Sequence, residues 1–415
     1  MVIKRTARQL TFVVLLVMPR AGSTQASPTR TVDTMSIDRA VSAWMQRHRA
    51  PALSVAIALD GIPAWSAGFG LADPARGVSA TSHTSYRLAS VTKSITATAV
   101  MMLAEEGVLD LDAPIQRYCP AYPPKRWTIT ARLLLAHLAG VRHHSVFESM
   151  RPNTRHFESV TSSLDSFKDD DLVAQPGTKY RYSSPGYTIL GCAIEGATGT
   201  SYASFVHEHI FAPAGMINTI PEDARTSSPS GTAYFSKGRL YKVTGKFARR
   251  TRAQSIDVSD RLPAGGLLST VDDMMRFAIA LQYEHLVQDS TRELMWTRQH
   301  TSDGKPLQFY GLGWLVGDAD SLRPKRVWND GSQPGTRTFL YLRPTQGIII
   351  ALMTNMDGAA CEELVPQILD AIGQRKAPDG GGASEAFSPS VHQSSTRGSP
   401  GSSLGRASPG PVSMT

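Results

Sequence analysis

The residue types and spacing best suited to chemistry lie in Arg87-Leu88-Ala89-Ser90-Val91-Thr92-Lys93. After Ser90 the sequence is mostly apolar as far as Glu105, and Gly107 is placed to stop a helix just past its end. With Ser90 in the first turn, Ser90 and Lys93 share a face, their Cβ atoms roughly 5–6 Å apart. The hydroxyl then has an amine within reach to take its proton, and a helix N-terminus favours a developing oxyanion. This is the Ser-x-x-Lys arrangement of acyl-transfer enzymes. The bare pattern recurs at Ser302-Asp303-Gly304-Lys305, where Asp-Gly signals a turn and no apolar helix follows. Context separates the two, because a lysine inside so apolar a helix is costly to bury without a task or a partner.

A second group is Gln175-Pro176-Gly177-Thr178-Lys179-Tyr180-Arg181-Tyr182-Ser183-Ser184-Pro185-Gly186-Tyr187. Two Pro-Gly pairs bracket a short segment, so Tyr182 and Ser184 are expected in a constrained loop, with a helix over Tyr187–Glu195. A third is Trp328-Asn329-Asp330-Gly331-Ser332, inside a strand-like run. Asn329 and Asp330 face opposite ways along such a strand.

Together with Glu106-Gly107-Val108-Leu109-Asp110-Leu111-Asp112-Ala113-Pro114-Ile115 and Pro263-Ala264-Gly265-Gly266-Leu267-Leu268-Ser269-Thr270, these stretches resemble the serine β-lactamase and penicillin-binding-protein superfamily. The likeness is to its class C-like branch, which includes mitochondrial β-lactamase-like proteins, and it covers roughly residues 35–374. The resemblance implies an α/β (α+β) fold, an antiparallel sheet flanked by helices with a mostly helical inserted domain. Its sheet part would be about 37–90 and 300–374, its helical part about 91–299. It also implies roles. Ser90 is the nucleophile, and Lys93 and Tyr182 share general-base and general-acid work. A neighbouring ammonium would favour the ionised phenol of Tyr182. Ser184 orients substrate or Lys93, and Ser269 or Thr270 caps a helix. Where the family carries Lys-Thr-Gly or His-Ser/Thr-Gly this chain has Asn329-Asp330-Gly331. By the template Asn329 lines the site, Gly331 permits close substrate approach, and the backbone N–H of Ser332 joins that of Ser90 as the oxyanion hole. Loss of the cationic strand residue weakens recognition of a substrate carboxylate, with Arg337 on the next strand as a possible replacement charge. The expected reaction is hydrolysis of an amide or ester bond in a small molecule or peptide, without a cofactor or metal. The alternative is a catalytically impaired relative acting as a binding or self-assembling scaffold.

Around these motifs the 415 residues, 41% hydrophobic and 19% charged, suit a soluble globular chain with a sizeable core. A net charge of +8 favours anionic surroundings, and no stretch resembles a nucleic-acid module. Cys119, Cys192 and Cys361 support neither a disulfide framework nor a zinc spacing. His137, closing an apolar helix-to-loop segment, reads as a histidine hydrogen-bonded in the fold near the site. His143-His144 lack a third ligand at useful spacing.

Residues 1–26 have basic residues, then the apolar run Leu10–Met18, then small residues, the layout of a secretory signal peptide for a periplasmic or secreted protein. The same acid-free stretch also fits a mitochondrial presequence. The run is too short to span a membrane. Ile37–His48 reads as a helix, and Pro51–Leu59 and Ile62–Phe69 as a hairpin turning at Asp60-Gly61. Thr232–Val243 reads as a polar hairpin within a basic stretch. Four strand-like runs follow (Tyr310–Val316, Arg326–Gly331, Thr336–Leu342 and Gly347–Thr354), then an amphipathic helix over Cys361–Ile372. Residues 377–415 are rich in Gly, Ser and Pro and are expected to form a disordered tail.

Overall fold

The computed structural model describes residues 30–145, 148, 155–223, 241–244, 249–252, 257–284, 286–321 and 323–373, the two short strands within 241–252 by backbone alone. The targeting segment expected at 1–26 and the tail expected at 377–415 lie outside the described residues.

Helix α1, Thr34–His48, starts three residues earlier than its apolar pattern because Asp33 caps it, its carboxylate accepting from the Ser36 N–H. It buries Ile37, Val41 and Trp44 at helical spacing. Strands β1 (Ala52–Leu59) and β2 (Ile62–Asp73) make the expected hairpin. Asp60 and Gly61 both take positive φ, 53° and 81°, as a tight two-residue turn requires. Strand β3 (Val78–Ser79) edges β2, and β4 (Tyr86–Arg87) leads into the Ser90 turn. Helix α2, Thr92–Glu105, is buried on nearly every side, the polar Thr92, Lys93, Ser94, Thr96 and Thr98 of its N-terminal half included. Helices α3 (Ala131–Leu135) and α4 (Ser184–Thr198) lie beside it in the helical layer.

Further strands are β5 (Ile220–Pro221), β6 (Tyr241–Thr244), β7 (Arg249–Arg252) and β8 (Leu267–Ser269). The hairpin expected at Thr232–Val243 falls mostly outside the described residues, and the ladder that is described pairs β6 with β7 further along the chain. Thr270 caps helix α5, Val271–Tyr283, accepting from the Asp273 N–H. Strands β9 (Leu315–Gly317), β10 (Arg326–Gln333), β11 (Thr336–Arg343) and β12 (Ile348–Thr354) complete the main sheet, and α6 (Val365–Asp370) closes the fold.

The main sheet has seven strands in the order β3-β2-β1-β12-β11-β10-β9, each neighbouring pair antiparallel. Both ends of the described chain therefore meet at its centre, where β1 pairs with β12 from Leu53–Thr354 to Leu59–Ile348. One face packs on α2 and α5, the other on α1 and α6. With both faces covered, β1 and β12 are continuous apolar runs.

Three expectations are corrected. The run Tyr310–Val316 pairs as a strand only from Leu315, because Gly311 and Gly313 thread it tightly between neighbours. Gly313 has φ 80°, and an added Cβ there would lie 2.2 Å from the Ala97 Cβ. The helix expected over Cys361–Ile372 divides into a 3-10 turn, Cys361–Leu364, and α6, because Pro366 has no N–H to donate back into the preceding turn. The cysteines do pair: Cys119 and Cys192 form a disulfide across 73 positions, with Cys361 free and buried. The partners belong to a loop and to α4, which meet only in the tertiary structure; spacing carries no trace of that.

Candidate active site

Ser90 sits in a 3-10 turn, Ala89–Val91, that runs straight into α2. Ala89 adopts φ 48°, a left-handed conformation unusual for a residue with a Cβ, immediately before Ser90. Strand β4 fixes the approach by pairing with β8, Tyr86 opposite Ser269 and Arg87 opposite Leu268. This draws the Pro263–Ser269 segment alongside the site.

Lys93 points along the same face as Ser90 and is fully buried. Its Nζ lies 3.2 Å from Ser90 Oγ, 3.2 Å from Ser184 Oγ and 2.7 Å from the Ala264 carbonyl oxygen. Burial, reinforced by Arg261 and opposed by Asp330, lowers its pKa to about 7. A carbonyl only accepts, so Ala264 holds one amine hydrogen. The neutral amine then keeps a lone pair for the Ser90 proton.

Tyr182 Oη donates to Ser90 Oγ at 2.7 Å. Its phenol is shifted opposite to the sequence-based expectation. Burial raises the pKa, and the Ser90 and Ser184 hydrogen bonds only partly oppose that. Desolvation is the largest effect, and the Asp330 carboxylate adds to it. At rest the amine is therefore the readier of the two to be unprotonated and the phenol keeps its proton.

His137 explains why Tyr182 stands there. Its Nδ1 accepts from the Ser183 N–H at 3.2 Å, and its carbonyl accepts from the Arg181 N–H at 2.8 Å, pinning both neighbours of Tyr182. An acceptor Nδ1 leaves the hydrogen on Nε2, which donates to Tyr310 Oη at 3.0 Å. Burial first, then Lys93 and His143, keeps the ring neutral. The expected fold-bound histidine is what the geometry shows. Ser184 is helical rather than in the loop: Ser183 caps α4, taking the Gly186 N–H at 3.0 Å, and Ser184 is its first residue. His143 Nδ1 accepts the Ser184 N–H at 3.2 Å. Among the described residues no group of three His, Cys, Asp or Glu side chains stands close enough to hold a metal ion.

Strand β10 passes directly over the turn. A Cβ on Gly331 would lie 2.3 Å from the Leu88 carbonyl oxygen and 3.1 Å from the Ser90 nitrogen, so only glycine fits. Ser332 follows, exposed. Asn329 shares the face of Gly331 but lies deeper, 3% exposed. Its Nδ2 donates to Ser94 Oγ at 2.9 Å and the Gly313 carbonyl at 3.0 Å, while its Oδ1 accepts the Asp330 N–H. Asp330 and Arg337 point to the opposite face, where Arg337 pairs with Asp330 at 3.2 Å and with both oxygens of Glu362. Arg337 therefore adds no charge to the Ser90 side.

Two groups beside the site were not singled out from the sequence. Arg261, held by Asp260 at 2.8 Å, acts electrostatically on Lys93 and both neighbouring histidines. Gln333 Nε2 donates to the Gly265 carbonyl at 3.0 Å. Gln333 lies two positions past Gly331, on the same strand face, and that spacing was its only signal. Ser302 and Lys305 sit in a surface turn, the lysine paired with Asp303 at 2.7 Å and the Ser302 N–H given to the Gly177 carbonyl, so the second Ser-x-x-Lys does not bring its two side chains together as the first does.

The Beta-lactamase family model matches residues 37–371. The human serine beta-lactamase-like protein LACTB, mitochondrial, is 26% identical, the alignment covering 74% of this chain and 74% of that protein. Among solved structures, D-amino acid amidase from Ochrobactrum anthropi superposes with TM-score 0.69 at 22% identity, covering 81% of this chain and 98% of that one. The octameric penicillin-binding protein homologue from Pyrococcus abyssi gives TM-score 0.68 at 23% identity, with 82% and 77% covered.

Proposed function

The chain belongs to the beta-lactamase family, and on that premise we propose that it is a serine hydrolase opening an amide or ester bond through an ester on Ser90. One observation carries the reading: Ser90 Oγ is met by the Tyr182 phenol at 2.7 Å and by a Lys93 amine at 3.2 Å whose pKa is lowered to about 7.

Neutral Lys93 takes the Ser90 proton as Oγ bonds to the substrate carbonyl carbon. The resulting oxyanion is held by the backbone N–H groups of Ser90 and Ser332. Tyr182 gives its proton to the leaving nitrogen or oxygen as the scissile bond breaks. Lys93 restores that proton by way of Ser184, which contacts both groups. Water then attacks the ester with the same groups in reverse order, and the acid product leaves.

The substrate is a neutral ester or amide in preference to a carboxylate-bearing β-lactam. The β10 position that supplies a cation in the family holds Asn329, whose amide hydrogens are already used, and Arg337 is neutralised on the far face. Amide cleavage is what the Ochrobactrum enzyme's name describes for that protein. We place the chain in an oxidising compartment, as the Cys119–Cys192 disulfide supports. That fits export through a signal peptide at 1–26. The human relative's name says mitochondrial, and a presequence there is the alternative. Among the described residues no helix is long and apolar enough to cross a membrane.

Labelling intact protein with a fluorophosphonate and mapping the adduct by mass tests the function. An adduct on Ser90 is expected. Folded protein that takes no label would favour the scaffold alternative.

A further inference from the structure

Strand alternation sends Arg326, Trp328 and Asp330 to the sheet face away from Ser90, together with Phe339, Tyr341 and Arg343 of β11. On that face, between the β10–β11 end and α6, lies a cleft of about 440 Å³. Three guanidinium groups line it, Arg323, Arg326 and Arg343, over an apolar base of Tyr341, Val365 and Leu369.

Three features mark it as a built site. Arg326 lies across β9 at Gly317, where an added Cβ would stand 2.8 Å from the Arg326 Cζ, and its Nη1 is enclosed without a hydrogen-bond partner. Arg343 gives Nε and Nη1 to neutral acceptors, Tyr341 Oη and Gln346 Oε1, both at 3.0 Å, so in neither bond is its charge offset by a carboxylate. Among the described residues none of the three arginines forms an ion pair, and Asp370 is the one carboxylate lining the cleft. Like charges gathered in a cleft without partners repel one another, and an anion seated among them removes that cost. A smaller cavity of about 200 Å³ adjoins, sharing Arg343 and Leu369. Its Arg30 pairs with Asp60 at 2.8 Å yet keeps an enclosed, unpartnered Nε.

We propose that this cleft binds a phosphate-type dianion carrying an apolar group. The head would be forked by Arg326 and Arg343, with Arg323 at the rim and the apolar body resting on Val365, Leu369 and Tyr341. Planar guanidinium groups suit phosphate oxygens in pairs, and a cleft of this volume lies in the range of small-molecule sites. The head can come from a free phosphomonoester or from a lipid.

The test uses the full chain and three probes at fixed ionic strength: inorganic phosphate, 1-naphthyl phosphate, and phosphatidylcholine vesicles with and without phosphatidic acid. Calorimetry should show 1-naphthyl phosphate binding more tightly than inorganic phosphate. Arg326→Gln and Arg343→Gln should each weaken it by at least about 10-fold, as expected for a lost charge-assisted hydrogen bond. Asp370→Asn should tighten it. Unliganded melting temperatures serve as the folding control, so the result stands apart from any hydrolase activity. Vesicle binding that requires phosphatidic acid and fails in the same arginine variants supports the site with a lipid as the source. Soluble binding alone supports it with a free phosphomonoester. Absent binding, equal affinity for the two soluble probes, binding unchanged in the arginine variants, or no gain in Asp370→Asn would each overturn the proposal.

Discussion

Arg87 and Glu222, 135 positions apart, form a buried fork in which Nε and Nη2 of the arginine each donate to a carboxylate oxygen at 2.7 Å. The remaining Nη1 donates to the Pro334 carbonyl at 3.0 Å, and the Arg87 carbonyl accepts from the Thr336 and Thr338 hydroxyls. Ser90 stands three residues beyond a position tied to β5, β10–β11 and β11 at once. Removing one member of a buried ion pair costs about 3–5 kcal/mol because the other charge is left uncompensated. Glu222→Gln should therefore lower urea stability by that order and slow labelling of Ser90. Unchanged stability would show that the fork does not hold the turn.

The three groups at Ser90 Oγ should act as a unit. Ser90→Ala should abolish covalent labelling. Lys93→Ala and Tyr182→Phe should each slow acylation by at least about 10²-fold, as is usual for lost proton-transfer groups. The double variant should lose less than the product of the singles. Labelling and turnover that survive in Ser90→Ala would move the nucleophile elsewhere.

Acylation should rise with pH through about 7 as Lys93 becomes neutral. Arg261 helps lower that value, so Arg261→Gln should move the limb to higher pH. Stability carries the same signature. An unperturbed lysine titrates near 10.5 and Lys93 in the folded chain at about 7, so the unfolded chain binds more protons between them. Stability therefore rises with pH across that window, and below it both states hold the proton and the slope vanishes. Lys93→Met should flatten the rise in melting temperature between pH 7 and the onset of alkaline unfolding. A pH-independent acylation rate would contradict the role given to Lys93.

Neutral short-chain esters should be cleaved measurably and cephalosporins slowly, because a charge-assisted hydrogen bond to a carboxylate, worth roughly 1.5–3 kcal/mol, is missing. Asn329→Ala should mainly destabilise, since it strips donors from the buried Gly313 carbonyl and the Ser94 hydroxyl. Cephalosporin hydrolysis near 10⁶ M⁻¹s⁻¹, mid-range for a good enzyme, would defeat the substrate reading.

The Cys119–Cys192 bridge closes a long loop and ties the start of the helical layer to α4. Cys192→Ala should cost roughly 2–4 kcal/mol, and reductant should lower the melting temperature of the wild type but not of the variant. Equal sensitivity to reductant in both would place the effect elsewhere.

What the sequence determined by itself was local. Ser90 and Lys93 share a face because helical spacing is read directly from an apolar run that Gly107 ends. The Asp60-Gly61 turn follows because both positions need positive φ, whereas Gly331 came from the family template as a point of close substrate approach, and only the packing shows that a side chain there would meet the Leu88 carbonyl. Only the tertiary structure decided quantities set by distant neighbours. Burial raises the Tyr182 pKa and lowers that of Lys93, a balance of desolvation against charge that no spacing encodes. It also engaged both amide hydrogens of Asn329 and turned Arg337 to the other face, because strand pairing sets which neighbours a side chain meets. The disulfide belongs to the same class: two cysteines 73 residues apart become partners only once α4 lies across the loop that carries Cys119.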